Sequence, residues 1–395
     1  MNTKQEVIID TTIVPKLKSG YLWIFSNQIL NFKQLHKKIC CVDIFDEKKN
    51  FIATGVYNPH SLIAVRILSY NKDEIFDTHF FINRINRALE FRKKLNFDIN
   101  YCRIVYSESD FLPGVIIDRY GNNLVLQFYS YAMELFLEKI IQALIKIFNP
   151  ENIILRNDIA ARENENAPQE KKLLYSTKNS NVNDVGYTLI THLGKKFLVD
   201  IVNGQKTGFF YDQKYNREYV SKIVENKDVL DLCCYNGSFS IISKYNNAKK
   251  VIGVDTSENA ISLAKESAKL NNLNINFLRE EIEKFLTNTK EKFDIILFDP
   301  PSYCKSKKDK IKSIKKYIAL CTKILSLLNP NGILCFSVCS YHISWEDTKQ
   351  IIITSLAKSE KNGYILKYGL QSLDHPIYPK MLETEYLKFI AILVN

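Results

Sequence analysis

The chain lacks any run of about 18–20 uninterrupted apolar residues, the length a bilayer span needs. Its richest stretch, Leu135 to Phe148, is broken by Glu138, Lys139 and Lys146 and reads as an amphipathic helix. The N-terminus, Met1 to Lys18, has no apolar core of secretory type. These absences predict a cytoplasmic protein without a membrane partner. No C-x-x-C pair occurs either. The nine cysteines include the adjacent pairs Cys40–Cys41 and Cys233–Cys234 but no metal-ligand or disulfide spacing. No metal site is expected, and most cysteines read as small core residues. Internal repeats and low-complexity segments are absent as well.

What is present points to a soluble, folded chain. With 395 residues there is room for two or three domains. Apolar residues at 46% and charged residues at 25% exclude a wholly disordered chain. Lys plus Arg outnumber Asp plus Glu by 54 to 43, a net charge of +11. The excess suits a polyanionic partner such as nucleic acid, although Lys-rich codon usage gives the same number.

Periodicity separates the chain into regions. Residues 1–72 carry short β-type runs, Tyr21–Phe25, Ile39–Phe45, Phe51–Tyr57 and Leu62–Leu68, divided by turn signals, and predict a small β-barrel. Residues 73–96 hold a linking helix with Phe81, Ile85 and Leu89 on one face. Residues 97–191 predict a small α+β domain, with Tyr187–Thr191 as its last strand and 159–183 as a long mobile loop. Residues 192–395 alternate strand and helix, so they predict an α/β, Rossmann-like, doubly wound sheet. Tyr364–Tyr368 and Tyr386–Val394 lack an intervening helix and predict an antiparallel closing hairpin.

The chemistry lies at the strand ends of this last region. Asp231-Leu-Cys-Cys-Tyr-Asn-Gly-Ser238 follows a buried strand and opens a helix. Asn236 and Gly237 supply residues that turn tightly, and the helix start aims backbone amides at a ligand. Asp255 ends the next strand, placed to hold the hydroxyls of a ribose. Glu280 and Glu281 follow the third strand, beside an adenine edge. These residues define a nucleoside cofactor without separating a dinucleotide from S-adenosylmethionine. The fourth strand separates them. It ends Asp299-Pro300-Pro301, a stiff extended lip that can hold a planar base. The fifth ends Val338-Cys339-Ser340. A thiolate adding at C6 of cytosine makes C5 nucleophilic, and this needs an accessible, activated cysteine. Cys339 is the first candidate, with Asp299 hydrogen-bonding the ring, and Cys304 is the second.

These residues carry a resemblance. The chain resembles the bacterial 23S ribosomal RNA large-subunit methyltransferase I family, S-adenosylmethionine-dependent enzymes that make 5-methylcytosine. The likeness spans nearly the whole chain. Lys16-Leu-Lys-Ser-Gly-Tyr-Leu-Trp-Ile-Phe-Ser26 is similar to a PUA domain, and Glu108–Tyr120 resembles the family's central-domain signature. Asn203-Gly-Gln-Lys-Thr-Gly-Phe-Phe-Tyr-Asp-Gln-Lys-Tyr-Asn-Arg217 is its most specific match, with Gly208 as the turn residue. Asp374-His-Pro376 and Glu385-Tyr-Leu-Lys388 match the C-terminal hairpin. The resemblance implies that Gln205, Lys206, Thr207 and Phe209 line the cofactor entrance, with Asp212 and Arg217 as supports. It implies that Asp231, Asn236 and Gly237 form the methionine-side turn, that Asp255 holds the ribose and Glu281 the adenine end, and that Cys339 is the nucleophile. Lys214 in place of Arg and Glu281 in place of Asp are departures from the family pattern.

The expected partner is ribosomal RNA, 23S by the resemblance, and a homodimer is possible. Lys305, Lys307 and Lys308 follow the proline lip, so these cations with Pro300 and Pro301 are the candidate RNA contacts. Trp23, Phe25 and Tyr57 stack on bases or fill the core. Two alternatives stand beside cytosine-C5 methylation. One is guanine-N7 methylation of ribosomal RNA without a catalytic thiol. The other is a non-catalytic RNA-binding ribosome assembly factor.

Overall fold

A computed structural model describes residues 4–178, 181–304 and 306–395, the Asn183 side chain excepted. The chain divides into two compact units. The first comprises Met1–Tyr187, Ile201–Phe209 and Leu373–Thr384; the second comprises Thr188–Asp200, Phe210–Ser372 and Glu385–Asn395.

The first unit opens with β1 (Gln5–Ile9), the short α1 (Val14–Lys18), β2 (Trp23–Ile24), β3 (Cys40–Asp46), β4 (Phe51–Tyr57) and β5 (Val65–Ser69). The strands form one sheet in the order β1-β3-β4-β5-β2. Val7, Ile9, Val42, Ile44 and Ile67 make its core, and Met381 from the far end of the chain is fully buried with them. Tyr57 belongs to this core, while Trp23 is half-buried with its indole N–H on Glu108 at 2.8 Å. Helix α2 (Thr78–Lys94) is N-capped by Asp77, whose carboxylate accepts the Phe80 N–H at 2.9 Å. Then follow β6 (Tyr101–Tyr106), β7 (Val115–Tyr120), β8 (Asn123–Phe128), α3 (Leu137–Phe148), β9 (Asn152–Arg156) and β10 (Lys171–Ser176), in a sheet ordered β10-β9-β8-β7-β6.

Two sequence expectations change here. The stretch 159–183 is not a featureless loop: a 3-10 turn fills Ala160–Glu165, and β10 pairs antiparallel with β9. As an exposed edge strand interrupted by a bulge, β10 has no buried face to impose apolar alternation. The strand predicted at Tyr187–Thr191 leaves the central sheet as well. It is β11 (Tyr187–His192), paired with β12 (Lys195–Asp200) in a separate two-stranded sheet.

The second unit is built on α4 (Lys214–Ser221), β13 (Asp228–Leu232), α5 (Ser238–Tyr245), β14 (Lys250–Asp255), α6 (Glu258–Leu270), β15 (Asn276–Arg279), α7 (Ile282–Asn288), β16 (Phe293–Phe298), α8 (Lys310–Leu325), β17 (Leu328–Cys339), α9 (Trp345–Lys358), β18 (Gly363–Leu370) and β19 (Leu387–Val394). The seven strands run β15-β14-β13-β16-β17-β19-β18. The first five are parallel, and β19 and β18 close the sheet antiparallel. Alternation sorts the strand residues: Val229, Val251, Ile295 and Leu297 pack with Val220 of α4 and Phe239 of α5. Leu230, Ile252, Ile296 and Phe298 pack with Phe285 of α7 and Tyr317 of α8. Both faces are therefore covered by helices. The strand order reverses between β13 and β16, and in such sheets that reversal opens a ligand crevice beyond the carboxyl ends.

Candidate active site

Asp231, the fourth residue of β13, sits at this reversal and is buried. Its Oδ2 accepts the Ser240 N–H at 2.9 Å and the Ser240 hydroxyl at 2.6 Å. Gly253, beside it in β14, leaves the room: a Cβ there would press on the Phe277 ring at 2.6 Å and on Ser240 Oγ at 3.0 Å. Burial pushes the Asp231 carboxyl up to about 7, and the nearby Asp299 and Asp255 charges push the same way. Its Oδ1 has no hydrogen-bond partner. Asn236, 1% exposed, leaves both the oxygen and the nitrogen of its amide unpartnered. Buried polar groups are almost always satisfied, so three open atoms in one turn mark a place for a polar ligand.

The turn itself differs from expectation. Cys233 (φ +61°), Tyr235 (φ +49°) and Gly237 (φ +72°) take left-handed backbone, and Asn236 does not. Asp255 holds the bend: its Oδ2 accepts the Tyr235 N–H and its Oδ1 the Ser257 N–H, each at 2.9 Å. One lone pair remains on each oxygen. Glu280 is half-buried and donates its N–H to the Asp255 carbonyl at 3.0 Å, while Glu281 is exposed at the start of α7.

Asp299 follows β16 half-buried, its N–H on the Leu232 carbonyl at 3.4 Å; Pro300 is buried and Pro301 exposed. Three side chains fix the loop after them. The Tyr317 hydroxyl accepts the Tyr303 N–H at 3.4 Å, Ser313 donates to the Tyr303 carbonyl at 2.9 Å, and Ser340 donates to the Cys304 carbonyl at 3.0 Å. Ser340 thereby joins the lip to the strand that ends in Cys339. Cys339 is half-buried, whereas Cys304 is 2% exposed, packed in the sheet core, with its thiol on the Ser306 carbonyl at 3.4 Å. An inward-facing thiol of this kind is a core residue, so the structure removes Cys304 as a nucleophile.

Lys388, marked in the sequence only as part of the hairpin match, is a buried cation at this strand end. It is 4% exposed on β19, opposite Val338, and its ammonium donates to the Ser340 carbonyl at 3.1 Å. Burial lowers its affinity for a proton, and Glu385 and Cys339 are the first charges that act the other way. The signal was available: a lone lysine interrupts the apolar run Leu387–Val394. Asp212 and Arg217 are also buried. Asp212 accepts the Tyr386 hydroxyl at 2.5 Å, and Arg217 bonds His192 Nε2 at 3.1 Å and the Phe210 carbonyl at 2.8 Å. Burial and the Arg217 charge keep His192 neutral, well below its ordinary value.

The segment carrying Gln205, Lys206, Thr207 and Phe209 belongs to the first unit, so its geometry is local to that unit. Thr207 donates to Asp118 at 2.5 Å and bonds the Tyr120 hydroxyl at 2.9 Å; Tyr120 accepts the Phe209 N–H at 3.1 Å. Arg156 donates to the Ile201 and Gly204 carbonyls at 3.1 and 2.7 Å. Gly208 takes φ +130° and Lys206 φ +52° within this clamp.

Lys305 lies outside the described residues. Lys307 and Lys308 are exposed on a 3-10 turn, and Lys310 is paired with Asp347 at 2.7 Å. No group of side chains suited to a metal occurs among the described residues, and no described helix is long and apolar enough to cross a membrane.

Comparison with known proteins agrees with this architecture. Residues 223–380 match a methyltransferase domain and residues 7–70 a PUA-like domain. The fold is shared with an S-adenosylmethionine-dependent methyltransferase from Streptococcus mutans (TM-score 0.81, 19% identity, 98% of this chain and 100% of that one). It is also shared with a methyltransferase solved in complex with SAH (TM-score 0.83, 20% identity, the same coverage). The chain is an S-adenosylmethionine-dependent methyltransferase with a PUA-like domain. It is 34% identical over 378 residues to ribosomal RNA large subunit methyltransferase I of Tolumonas auensis, covering 94% of each chain. Against the Aeromonas hydrophila protein of that name it is 33% identical over 381 residues, again 94% of each. It belongs to the ribosomal RNA large subunit methyltransferase I family.

Proposed function

We propose that this chain methylates C5 of a cytosine in 23S ribosomal RNA through a covalent bond between Cys339 and C6 of the base. The observation that carries the reading is an accessible cysteine ending the strand next to Asp299-Pro300-Pro301, with a buried ammonium beside it. When bound, S-adenosylmethionine supplies an electrophilic methyl group and a positively charged amino acid end. Asp231 and the open amide of Asn236 hold that charged end, which would keep the Asp231 carboxylate ionised. Asp255 takes the ribose hydroxyls with its remaining lone pairs, and Gln205, Lys206, Thr207 and Phe209 line the entrance.

Lys388 favours the Cys339 thiolate, because a nearby cation lowers a thiol's proton affinity. The thiolate adds to C6, and the C5–C6 electron pair moves onto C5. In its acid form Asp299 donates a hydrogen bond to ring N3 and steadies the negative charge that develops there. After C5 accepts the methyl group, loss of the C5 proton to a base expels the thiolate and restores the double bond. Pro300 and Pro301 hold the base flat, while Lys307 and Lys308 meet phosphates. Residues 1–72 act as the RNA-binding module.

The test is nucleoside mass spectrometry of ribosomal RNA methylated in vitro. 5-Methylcytosine is expected from the native chain, and none from Cys339→Ala, which still binds the cofactor in calorimetry. 7-Methylguanine would establish the guanine reading, and full activity in Cys339→Ala would remove the covalent route. Failure to bind the cofactor at all would leave a non-catalytic assembly factor.

A further inference from the structure

Three segments, Lys16–Ser26, Glu108–Tyr120 and Asp374–Lys380, supply none of the groups assigned above to the methyl-transfer step itself. In the first unit they converge on one surface. Phe111 holds a left-handed φ of +58°, which a bulky side chain adopts only at a cost. The Arg84 and Arg87 guanidinium groups of α2 stand 5.6 and 5.1 Å from its ring centroid, and the Tyr378 ring packs edge-on at 5.3 Å. Gly20 (φ +111°) makes room for the Tyr378 hydroxyl, with which a Cβ would collide, and the Lys380 stem lies beside the same glycine. Lys16 stands over the Tyr21 ring at 3.4 Å, and Tyr70, 43% exposed, is tethered through its hydroxyl to the Leu17 carbonyl at 2.8 Å.

The charge here is largely uncompensated. Among the described residues, the ion pairs made by α2 are Arg92–Asp110 and Lys93–Glu90. Arg84 gives one N–H to the Leu68 carbonyl at 2.9 Å, and Arg87 has no carboxylate partner among the described residues. Glu74 bears on Arg84, Glu383 accepts the Tyr21 hydroxyl at 3.1 Å, and Glu108 accepts the Trp23 indole N–H at 2.8 Å. Two guanidinium groups crowded on one ring repel each other and favour an anion between them. Rigid rings interleaved with unpaired cations suit a strand whose phosphates and unstacked bases alternate. A lipid surface would call for an apolar face, which this cluster of charges interrupts.

We propose that Lys16, Arg84, Arg87, Phe111, Tyr378 and Lys380 form a docking surface for single-stranded RNA, separate from the residues that transfer the methyl group. Lys16, Arg87 and Lys380 neutralise phosphates, and the part-exposed faces of Phe111 and Tyr378, whose other sides pack against the sheet core, meet unpaired bases. The inference rests on the RNA-substrate reading above.

The experiment is filter binding of deproteinised 23S ribosomal RNA across a potassium chloride series. It uses the full chain, the triple variant Lys16→Ala/Arg87→Ala/Lys380→Ala, and a charge-matched control of exposed second-unit lysines, Lys222→Ala/Lys265→Ala/Lys290→Ala. The surface predicts that the first variant loses at least about tenfold in affinity. Its log–log salt slope should be shallower by about 2, since each single-strand phosphate contact contributes roughly 0.7. The control should change by less than twofold, and all three proteins should keep the same melting temperature and cofactor affinity. Equal losses in both variants, or no loss in the first, would overturn the proposal. Absence of methylated product from the native chain would overturn the catalytic reading instead, and leave the salt slopes to decide this one.

Discussion

Two buried polar clusters in this chain are built on opposite terms. In the first unit Arg92 holds Asp110 with two N–H groups at 2.6 and 2.7 Å, and Asp110 also accepts the Tyr106 N–H at 2.6 Å. Arg103 holds Asp118 in the same two-pronged way at 2.8 and 2.7 Å, with Thr207 added. Every acid there is matched. At the strand ends of the second unit, Asp231 keeps an oxygen open and Asn236 keeps both amide atoms open. A closed network specifies how the chain packs, and an open one is completed by something the chain binds.

The comparison is sharpest under mutation. Asp110→Ala strands the Arg92 charge inside the protein and should cost about 3–5 kcal/mol in urea unfolding. Cofactor affinity, measured by calorimetry under folded conditions, should stay within twofold. Lys388→Met acts on chemistry instead. Methyl transfer should fall about 10- to 100-fold near neutral pH and recover as the pH rises, because the Cys339 thiol must then ionise without a cation nearby. A loss that does not recover at alkaline pH would mean that Lys388 only supports the strand. Asn236→Ala should leave the unfolding midpoint almost unchanged and weaken cofactor binding about tenfold, the worth of one good hydrogen bond. If Asn236→Ala unfolds the protein and Asp110→Ala spoils cofactor binding, the contrast between the clusters is broken.

The smallest effect on binding is a pH dependence. Asp231 titrates at about 7 in the folded chain against an ordinary 3.8. Between those values the folded chain keeps a proton that the unfolded chain has lost, so this group lowers stability as pH rises towards about 7, and Asp231→Asn removes that slope. The ionised form is the one that pairs with a cationic amino group. Cofactor affinity should therefore rise several-fold from about pH 6 to about pH 8 in the native chain and stay flat in Asp231→Asn.

Much of the second unit was legible because buried parallel strands read as apolar runs with chemistry at their ends. Asp231, Asp255, Asp299 and Cys339 each terminate or follow such a run. The first unit was harder. β10 is an edge strand with no buried face, so no alternation betrays it. Cys233 and Tyr235 take the left-handed turn because the Asp255 carboxylate pins the Tyr235 amide, a tertiary cause that no local preference of cysteine or tyrosine reports. Cys304 and Cys339 are equally plausible thiols on paper. Only the packing around Tyr317 and Ser306 turns Cys304 inward.

The return of residues Leu373–Thr384 to the first unit has a consequence for how the protein is made. Met381 completes the same core as Val7, Ile9 and Val42. In a chain emerging from N- to C-terminus, the core of the first module lacks one of its buried side chains until residue 381 has been added. Asp374 adds to the delay, since its Oδ2 accepts the Arg103 N–H at 3.0 Å and its carbonyl takes Arg92 at 2.7 Å. A gene fragment that stops before residue 373 encodes every strand of the N-terminal sheet and still lacks part of that sheet's interior. The first unit is thus written in three separate stretches of the gene.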